Sequence, residues 1–272
     1  MKKEKITFIG AGAMAEAIME GLIKTNKWHA SLITIKNRSN SERLKELQTK
    51  YGVIPAPTLK DAVSDADIII LAVKPKDASQ AVKSLEPFIQ KGQLIISVMA
   101  GISTDTITEW TNKDNPVLRA MPNTSASIGY SATAVSKGIF AAEVHVQKAV
   151  ELFETIGTVT LVPEEKLHIV TGLSGSGPAY IYYIAEAMQK AAEELSLSHE
   201  EAKTLISQTL LGASLMLKNT TESPIELRKK VTSPGGTTEA GIGKLDQYQV
   251  HDAFLACIKK AVRRSEELGN IK

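Results

Sequence analysis

Two short stretches of small residues have a spacing that could do chemistry. The first is Gly10-Ala11-Gly12-Ala13-Met14-Ala15, which follows the apolar run Ile6–Gly10 and opens a helical pattern. Gly10 permits a tight turn, Gly12 lets backbone approach a pyrophosphate, and Ala15 allows a helix to pack closely on a strand. The helix start adds N–H groups and a partial positive charge. Ile9, Gly10, Ala11, Gly12, Ala13 and Met14 are therefore expected to line a dinucleotide. The end of the second strand, Ile35-Lys36-Asn37-Arg38-Ser39, bears on which one. A site for NAD usually places an acid there to hold the ribose 2′-hydroxyl, and this strand end has none. Arg38 can fork onto a 2′-phosphate, with Asn37 and Ser39 as further donors, so NADPH is favoured and NADH is kept as the weaker alternative. Ala72, Val73 and Lys74 end a third strand and Ala100 follows a fourth, placing small residues where a nucleotide needs room.

The second stretch is Thr232-Ser233-Pro234-Gly235-Gly236-Thr237-Thr238, which leads into a helical pattern. Its backbone N–H groups, unshielded at two glycines, suit a small carboxylate, and Thr238 adds a hydroxyl. Another loop, Thr171 to Tyr180, joins a short helix to a long one, with Pro178 in the first turn of the latter. No His-Glu-x-x-His, Gly-x-Ser-x-Gly or phosphate-loop lysine motif occurs. Cys257 is the only cysteine and the five histidines are scattered, so neither a metal nor a disulfide is expected. A redox site without an evident acid–base residue suggests a substrate that arrives ready for hydride, such as a protonated imine.

The elements that must position these loops divide by rhythm. Unalternating runs at Ile6–Gly10, Leu32–Lys36, Ile68–Val73, Leu94–Met99 and Val117–Met121 alternate with helical patterns. Such runs suit strands covered on both faces, hence a mostly parallel, doubly wound Rossmann-type sheet. Two weaker runs, Ala132–Ser136 and Thr158–Val162, extend it near an edge. After Pro163 the pattern is helical throughout: Pro178–Leu195, Glu200–Leu217, Ile225–Val231, Thr238–Leu245 and Val250–Leu268. The expected organisation is an α/β domain over 1–163 and an all-α domain over 164–272, the latter for substrate binding and dimerisation. Tyr180–Ala192 and Ala202–Leu217 are apolar on more than one face, so a second copy is expected to cover them, with a tight monomeric bundle as the alternative.

Composition excludes other classes. Lys plus Arg is 32 against 30 for Asp plus Glu, and the densest basic run, Lys259 to Arg264, meets Glu266 and Glu267 at once, so no nucleic acid is expected. Lys2, Lys3 and Lys5 faintly resemble a secretion signal, but Glu16 and Glu20 interrupt the apolar stretch that follows. Ile68–Val73 is far short of the ~20 residues of a membrane helix, so a soluble, cytoplasmic protein is expected.

The chain resembles the pyrroline-5-carboxylate reductases, the last enzymes of proline biosynthesis. The resemblance rests on Gly10–Ala15, Ala72-Val73-Lys74-Pro75, Met121-Pro122-Asn123-Thr124, Thr171–Tyr180 and Val231–Gly241, and runs essentially end to end. It implies NADPH-dependent reduction of 1-pyrroline-5-carboxylate to proline, and a helical domain interlocked with a partner as a homodimer, often built further into a decamer. It also implies a nicotinamide between Ala100, Met121–Asn123 and the partner's helices. Ser233, Gly235, Gly236 and Thr237 would hold the substrate carboxylate, Thr238 would bond the ring nitrogen, and Glu164 would lie near the substrate. The chain departs from the family at Ser125, where proline is usual, at His168, where aspartate is common, and at Leu59, where an asparagine often touches the cofactor. A β-hydroxyacid dehydrogenase is the competing enzyme class, but it needs a lysine on the first long helix, and Pro178–Ala187 has none. A non-catalytic nucleotide sensor would be expected to have a damaged substrate loop, and Ser233–Thr238 is intact.

Overall fold

The computed structural model describes residues 4–269; Lys2 and Lys3, weighed above as part of a secretion signal, lie outside them. Eight strands form one sheet: β1 (Ile6–Ile9), β2 (Ile33–Lys36), β3 (Ile54–Pro55), β4 (Ile68–Leu71), β5 (Leu94–Ser97), β6 (Val117–Met121), β7 (Ser131–Lys137) and β8 (Gly157–Leu161). Their order is β3-β2-β1-β4-β5-β6-β7-β8. All neighbours run parallel except β6 with β7. The five strong runs and both weaker ones are strands, as expected. β3 has no counterpart in the sequence reading, because a two-residue strand ending in proline leaves no periodic signal.

The sheet buries both faces, and β4 makes the reason plain. Ile68 and Ile70 join one apolar cluster with Ile6, Phe8, Ile33 and Ile35, while Ile69 and Leu71 join the other with Ile9 and Ile95. Three helices supply residues to the first cluster: α1 (Ala13–Lys24), α2 (Ser41–Tyr51) and α6 (Glu143–Phe153). The second takes residues from α3 (Leu59–Val63), α4 (Ala78–Leu85) and α5 (Thr104–Thr111). Ile70 is fully buried, so Ile70→Ala would cost ~2–5 kcal/mol through lost burial and a cavity. Local signals set the helix starts. Asn40 accepts the Arg43 N–H at 2.9 Å ahead of α2, and Thr58 and Asp61 form a reciprocal capping box on α3.

Beyond β8 the described chain is helical: α7 (Leu167–Val170), α8 (Gly177–Glu194), α9 (His199–Asn219), α10 (Pro224–Lys230), α11 (Thr237–Gln247) and α12 (Val250–Gly269). Residues Thr171–Gly175, read from sequence as part of a loop, instead form a π-helical turn that carries the chain from α7 towards α8. Ser176 N–H bonds the Thr171 carbonyl at 2.9 Å, and this wide ring keeps a glycine-rich segment helical. By packing, the described residues form two units, one of residues 4–176 with 260–269 and one of residues 177–259. The packing boundary therefore lies at Gly177 and Lys259, whereas the sequence reading drew it at 163/164. Residues 164–176 and the end of α12 are bonded into the first unit: Glu164 meets Arg119 and Thr104, and His168 meets Ser265.

Candidate active site

The sheet reverses direction of build between β1 and β4, the place where open α/β sheets hold ligands at their strands' carboxyl ends. Gly10, Asn37, Ala72 and Val98 follow β1, β2, β4 and β5 at that edge. The backbone stitches it together: Gly10 N–H bonds Lys36 O at 2.8 Å, Ala72 N–H bonds Ile9 O at 2.8 Å, and Val98 N–H bonds Leu71 O at 3.0 Å.

The two loop glycines have different reasons to be glycine. Gly10 has φ +110°, and a Cβ there would stand 2.4 Å from the Ala72 carbonyl oxygen. The fold itself requires it. Gly12 is exposed, and a Cβ there would meet no atom within 4 Å. The space in front of Gly12 is what a bound pyrophosphate would fill. Gly12 also caps α1 without any side-chain hydrogen bond, so the first-turn N–H groups face outward with no capping oxygen. This is a fit for a dinucleotide.

The acid in that same first turn, Glu16, is fully engaged. Its carboxylate takes a bond from Arg43, one from Lys50 Nζ at 2.9 Å and one from the Tyr51 hydroxyl at 2.9 Å. Burial alone would raise its pKa, but the bonds from Lys50, Arg43 and Tyr51 outweigh burial and hold the group down at about 2. None of this was read from the sequence, because Glu16 and Arg43 are 27 residues apart and neither belongs to a motif.

At the end of β2, the Asn37 side-chain amide donates to the Asn40 carbonyl at 2.7 Å. Arg38 stands 76 % exposed, reaching one Asp77 oxygen at 3.4 Å, and Ser39 is exposed beside it. Asp77 was not singled out from the sequence; it follows Lys74-Pro75 in a short turn after β4. Ala72 and Val73 are half-buried and Lys74 is exposed. Leu59 packs against the second apolar cluster, so it offers the cofactor no polar group.

The loop after β5 is held from behind. Gly101 has φ +81°, and a Cβ on it would lie 2.9 Å from the Gly269 nitrogen at the end of α12. Thr104, at the start of α5, gives its N–H to Glu164 at 2.8 Å and its hydroxyl to the other oxygen at 2.5 Å. Arg119, almost fully buried on β6, completes the cluster at 3.0 Å from Glu164. His168 Nδ1 and Ser265 Oγ lie 2.9 Å apart. Asn123 donates to the Ser174 carbonyl at 3.1 Å and accepts the Ser125 N–H at 3.1 Å. Ser125 therefore makes a bond that a proline there, lacking an N–H, could not.

The 233–238 loop belongs to the second unit and ends in the start of α11. Gly235 has φ +72° with open space around it, so the turn itself selects glycine. Of the donors expected for a carboxylate, the Gly236 N–H closes the turn on Ser233 O at 3.0 Å. Gly235 N–H bonds the Glu239 carboxylate at 2.8 Å. Thr237 and Thr238 are the first two residues of α11, whose N–H groups have no carbonyl within the helix to bond, and Gly236 caps it with no side chain.

Two clefts of about 500 and 900 Å³ lie elsewhere, lined by residues such as Lys5, Asp65 and Lys91 and by Trp28, Gln147 and Glu151. Neither includes a residue of the Gly10–Met14 loop. No group of three or more metal-binding side chains is gathered among the described residues, and none of their helices is long and apolar enough to cross a membrane.

Comparison with known proteins bears on this geometry. Residues 164–268 match the model described as pyrroline-5-carboxylate reductase dimerisation, and residues 5–101 match that of NADP oxidoreductase, coenzyme F420-dependent. Over 265 residues the chain is 46 % identical to pyrroline-5-carboxylate reductase 2 of Bacillus subtilis, covering 97 % of this chain and 95 % of that one. The chain belongs to the pyrroline-5-carboxylate reductase family. A solved reductase of this family from Coxiella burnetii superposes with a TM-score of 0.90 at 36 % identity, covering 99 % of this chain and all of that one. A Plasmodium falciparum pyrroline carboxylate reductase, solved with NADP bound, shares the fold with a TM-score of 0.89 at 24 % identity, covering 99 % of this chain and all of that one. Family membership brings with it oxidoreductase chemistry and a helical segment of the dimerisation type.

Proposed function

We propose that the protein reduces 1-pyrroline-5-carboxylate to L-proline with NADPH, by hydride transfer to the carbon of a cyclic imine. The observation that carries this reading is a dinucleotide loop with open space at Gly12, in a chain of this family whose Ser233–Thr238 loop is intact. The nicotinamide cofactor supplies the hydride. The protein's part is to hold, orient and exclude water. Gly10–Met14 cradle the pyrophosphate, with Ile9, Ala72, Val73, Lys74 and Ala100 lining the nucleotide. Arg38, with Asn37 and Ser39, receives the 2′-phosphate, which favours NADPH over NADH.

In residues 164–272, read as the substrate and dimerisation domain, the Ser233–Thr238 loop takes the substrate carboxylate. The N–H groups of Thr237 and Thr238 are the donors, since those of Gly235 and Gly236 are bonded within the protein. The Thr238 hydroxyl orients the ring nitrogen as its positive charge is localised. Glu164 joins the substrate site on the strength of the resemblance, with its charge already paired to Arg119. The working form is a cytoplasmic homodimer, open to further assembly into a decamer. The deciding experiment is NADPH oxidation on adding pyrroline-5-carboxylate, with NADH run beside it. Turnover with a higher kcat/KM for NADPH is expected. No turnover with either cofactor would overturn the reading.

A further inference from the structure

Arg43 lies on α2, outside every motif, yet it reaches the dinucleotide loop. Its Nε donates to the Ala11 carbonyl at 3.1 Å. Its two remaining nitrogens meet Glu16 and, at 2.7 Å, Glu46. The side chain is 22 % exposed, against 76 % for Arg38. All three guanidinium nitrogens have protein partners.

The bond to Ala11 fixes a direction. A trans peptide holds its carbonyl and the following N–H antiparallel, and the described chain contains no cis peptide. With the Ala11 carbonyl turned onto Arg43, the Gly12 N–H points the opposite way, away from α2. Gly12 is exposed, with nothing within 4 Å of where a Cβ would stand. Charge gives a second reason. A carboxylate in the first turn of α1 complements the helix dipole but repels a pyrophosphate bound at the same terminus. Arg43 and Lys50 together cancel Glu16.

We propose that Arg43 is a positioning residue of the dinucleotide loop, setting the Ala11–Gly12 peptide so that its N–H faces the pyrophosphate and shielding that pyrophosphate from Glu16. Arg38 and Arg43 then have separate roles: one recognises the 2′-phosphate, the other presents the backbone that both NADPH and NADH share. This rests on the reading of Gly10–Met14 as the dinucleotide loop.

The test is the affinity of the full-length protein for NADPH, NADH and adenosine 2′-monophosphate, which lacks the pyrophosphate. Arg43→Ala is expected to weaken NADPH and NADH by the same factor, about tenfold or more, and to leave adenosine 2′-monophosphate nearly unchanged. Arg43→Lys keeps a charge near Glu16 but loses the fork that spans Glu16 and Ala11, so both dinucleotides weaken by roughly threefold or more. The lysine variant carries the test should the alanine variant fail to fold. A loss confined to NADPH would make Arg43 a 2′-phosphate ligand and overturn the proposal. Unchanged affinities beside a lowered Tm would also overturn it, leaving only a structural role. Gly12→Val tests the underlying reading separately, since a side chain there fills the pyrophosphate space. If that variant binds both dinucleotides normally, the loop itself has been misread; if it loses both while the Arg43 variants lose neither, only the proposal fails.

Discussion

The two packing units place their apolar residues differently. In the first, Ile6, Phe8, Ile33, Ile35 and Ile68–Leu71 are buried on both faces of a sheet. In the second, Ala202 is the one buried apolar residue among the described residues. There Tyr182, Tyr183, Leu205, Leu211 and Met216 stand exposed, Tyr183 by 75 % and Leu205 by 59 %. Large apolar side chains left exposed in such number mark an interface. One unit has finished its interior within the chain; the other needs a second chain to finish it. The matched dimerisation model over 164–268 agrees. Burial in a single chain is therefore a poor guide to what matters in α8 and α9.

Variants that separate the two units test this contrast. Leu211→Asp should have the largest effect, because it strands a charge in an apolar contact between copies. The protein should fall to its 29.3 kDa monomer in light scattering and lose nearly all turnover, while NADPH titration stays close to that of the parent. A fully active monomer would erase the contrast. Arg38→Ala should act on the first unit alone, raising the KM for NADPH roughly tenfold to hundredfold through loss of a charge-assisted pair, with NADH nearly untouched. Equal losses for both cofactors would break that assignment. Thr238→Ala should act on the second unit alone. A drop of about tenfold in kcat/KM, with NADPH affinity unchanged, is expected for one oriented hydrogen bond. Full activity in that variant would remove Thr238 from the site. The smallest effect is expected from Asp77→Asn. An exposed ion pair is worth ~0.2–1 kcal/mol, so freeing Arg38 should lower the KM for NADPH by roughly 1.5- to 5-fold. A rise instead would show that Asp77 helps to aim Arg38.

Five strands of the first unit, β1, β2, β4, β5 and β6, are legible in the sequence because each is a short apolar run between helical patterns. β3 was not legible, since two residues carry no period, and the Thr171–Gly175 turn was hidden because its glycines read as a loop. The residues of the candidate cofactor edge were readable where a motif carried them, as at Gly10 and Gly12. They were unreadable where the fold brings distant residues together: Arg43 to Ala11, Asp77 to Arg38, and Glu164 to both Thr104 and Arg119. The resemblance places Glu164 near the substrate, and nothing in the sequence points to its closing the start of α5. Within the 233–238 loop the sequence identified the donors as a class. Only the fold distinguishes those already bonded, at Gly235 and Gly236, from those at Thr237 and Thr238.

The contact of Gly269 with Gly101 has a consequence in time. During synthesis the ribosome makes the β5 loop well before the end of α12, with all of residues 177–259 among those between them. At about 5–20 residues per second, the 168 residues from Gly101 to Gly269 take roughly 8–34 s. Throughout that time the nascent sheet carries the Ala100–Gly101 loop without its final support, and His168 lacks Ser265. The candidate cofactor edge is thus begun by residues up to Gly101 and completed only once the end of α12 has been made, so a ribosome stalled within α12 would leave this loop without its backing.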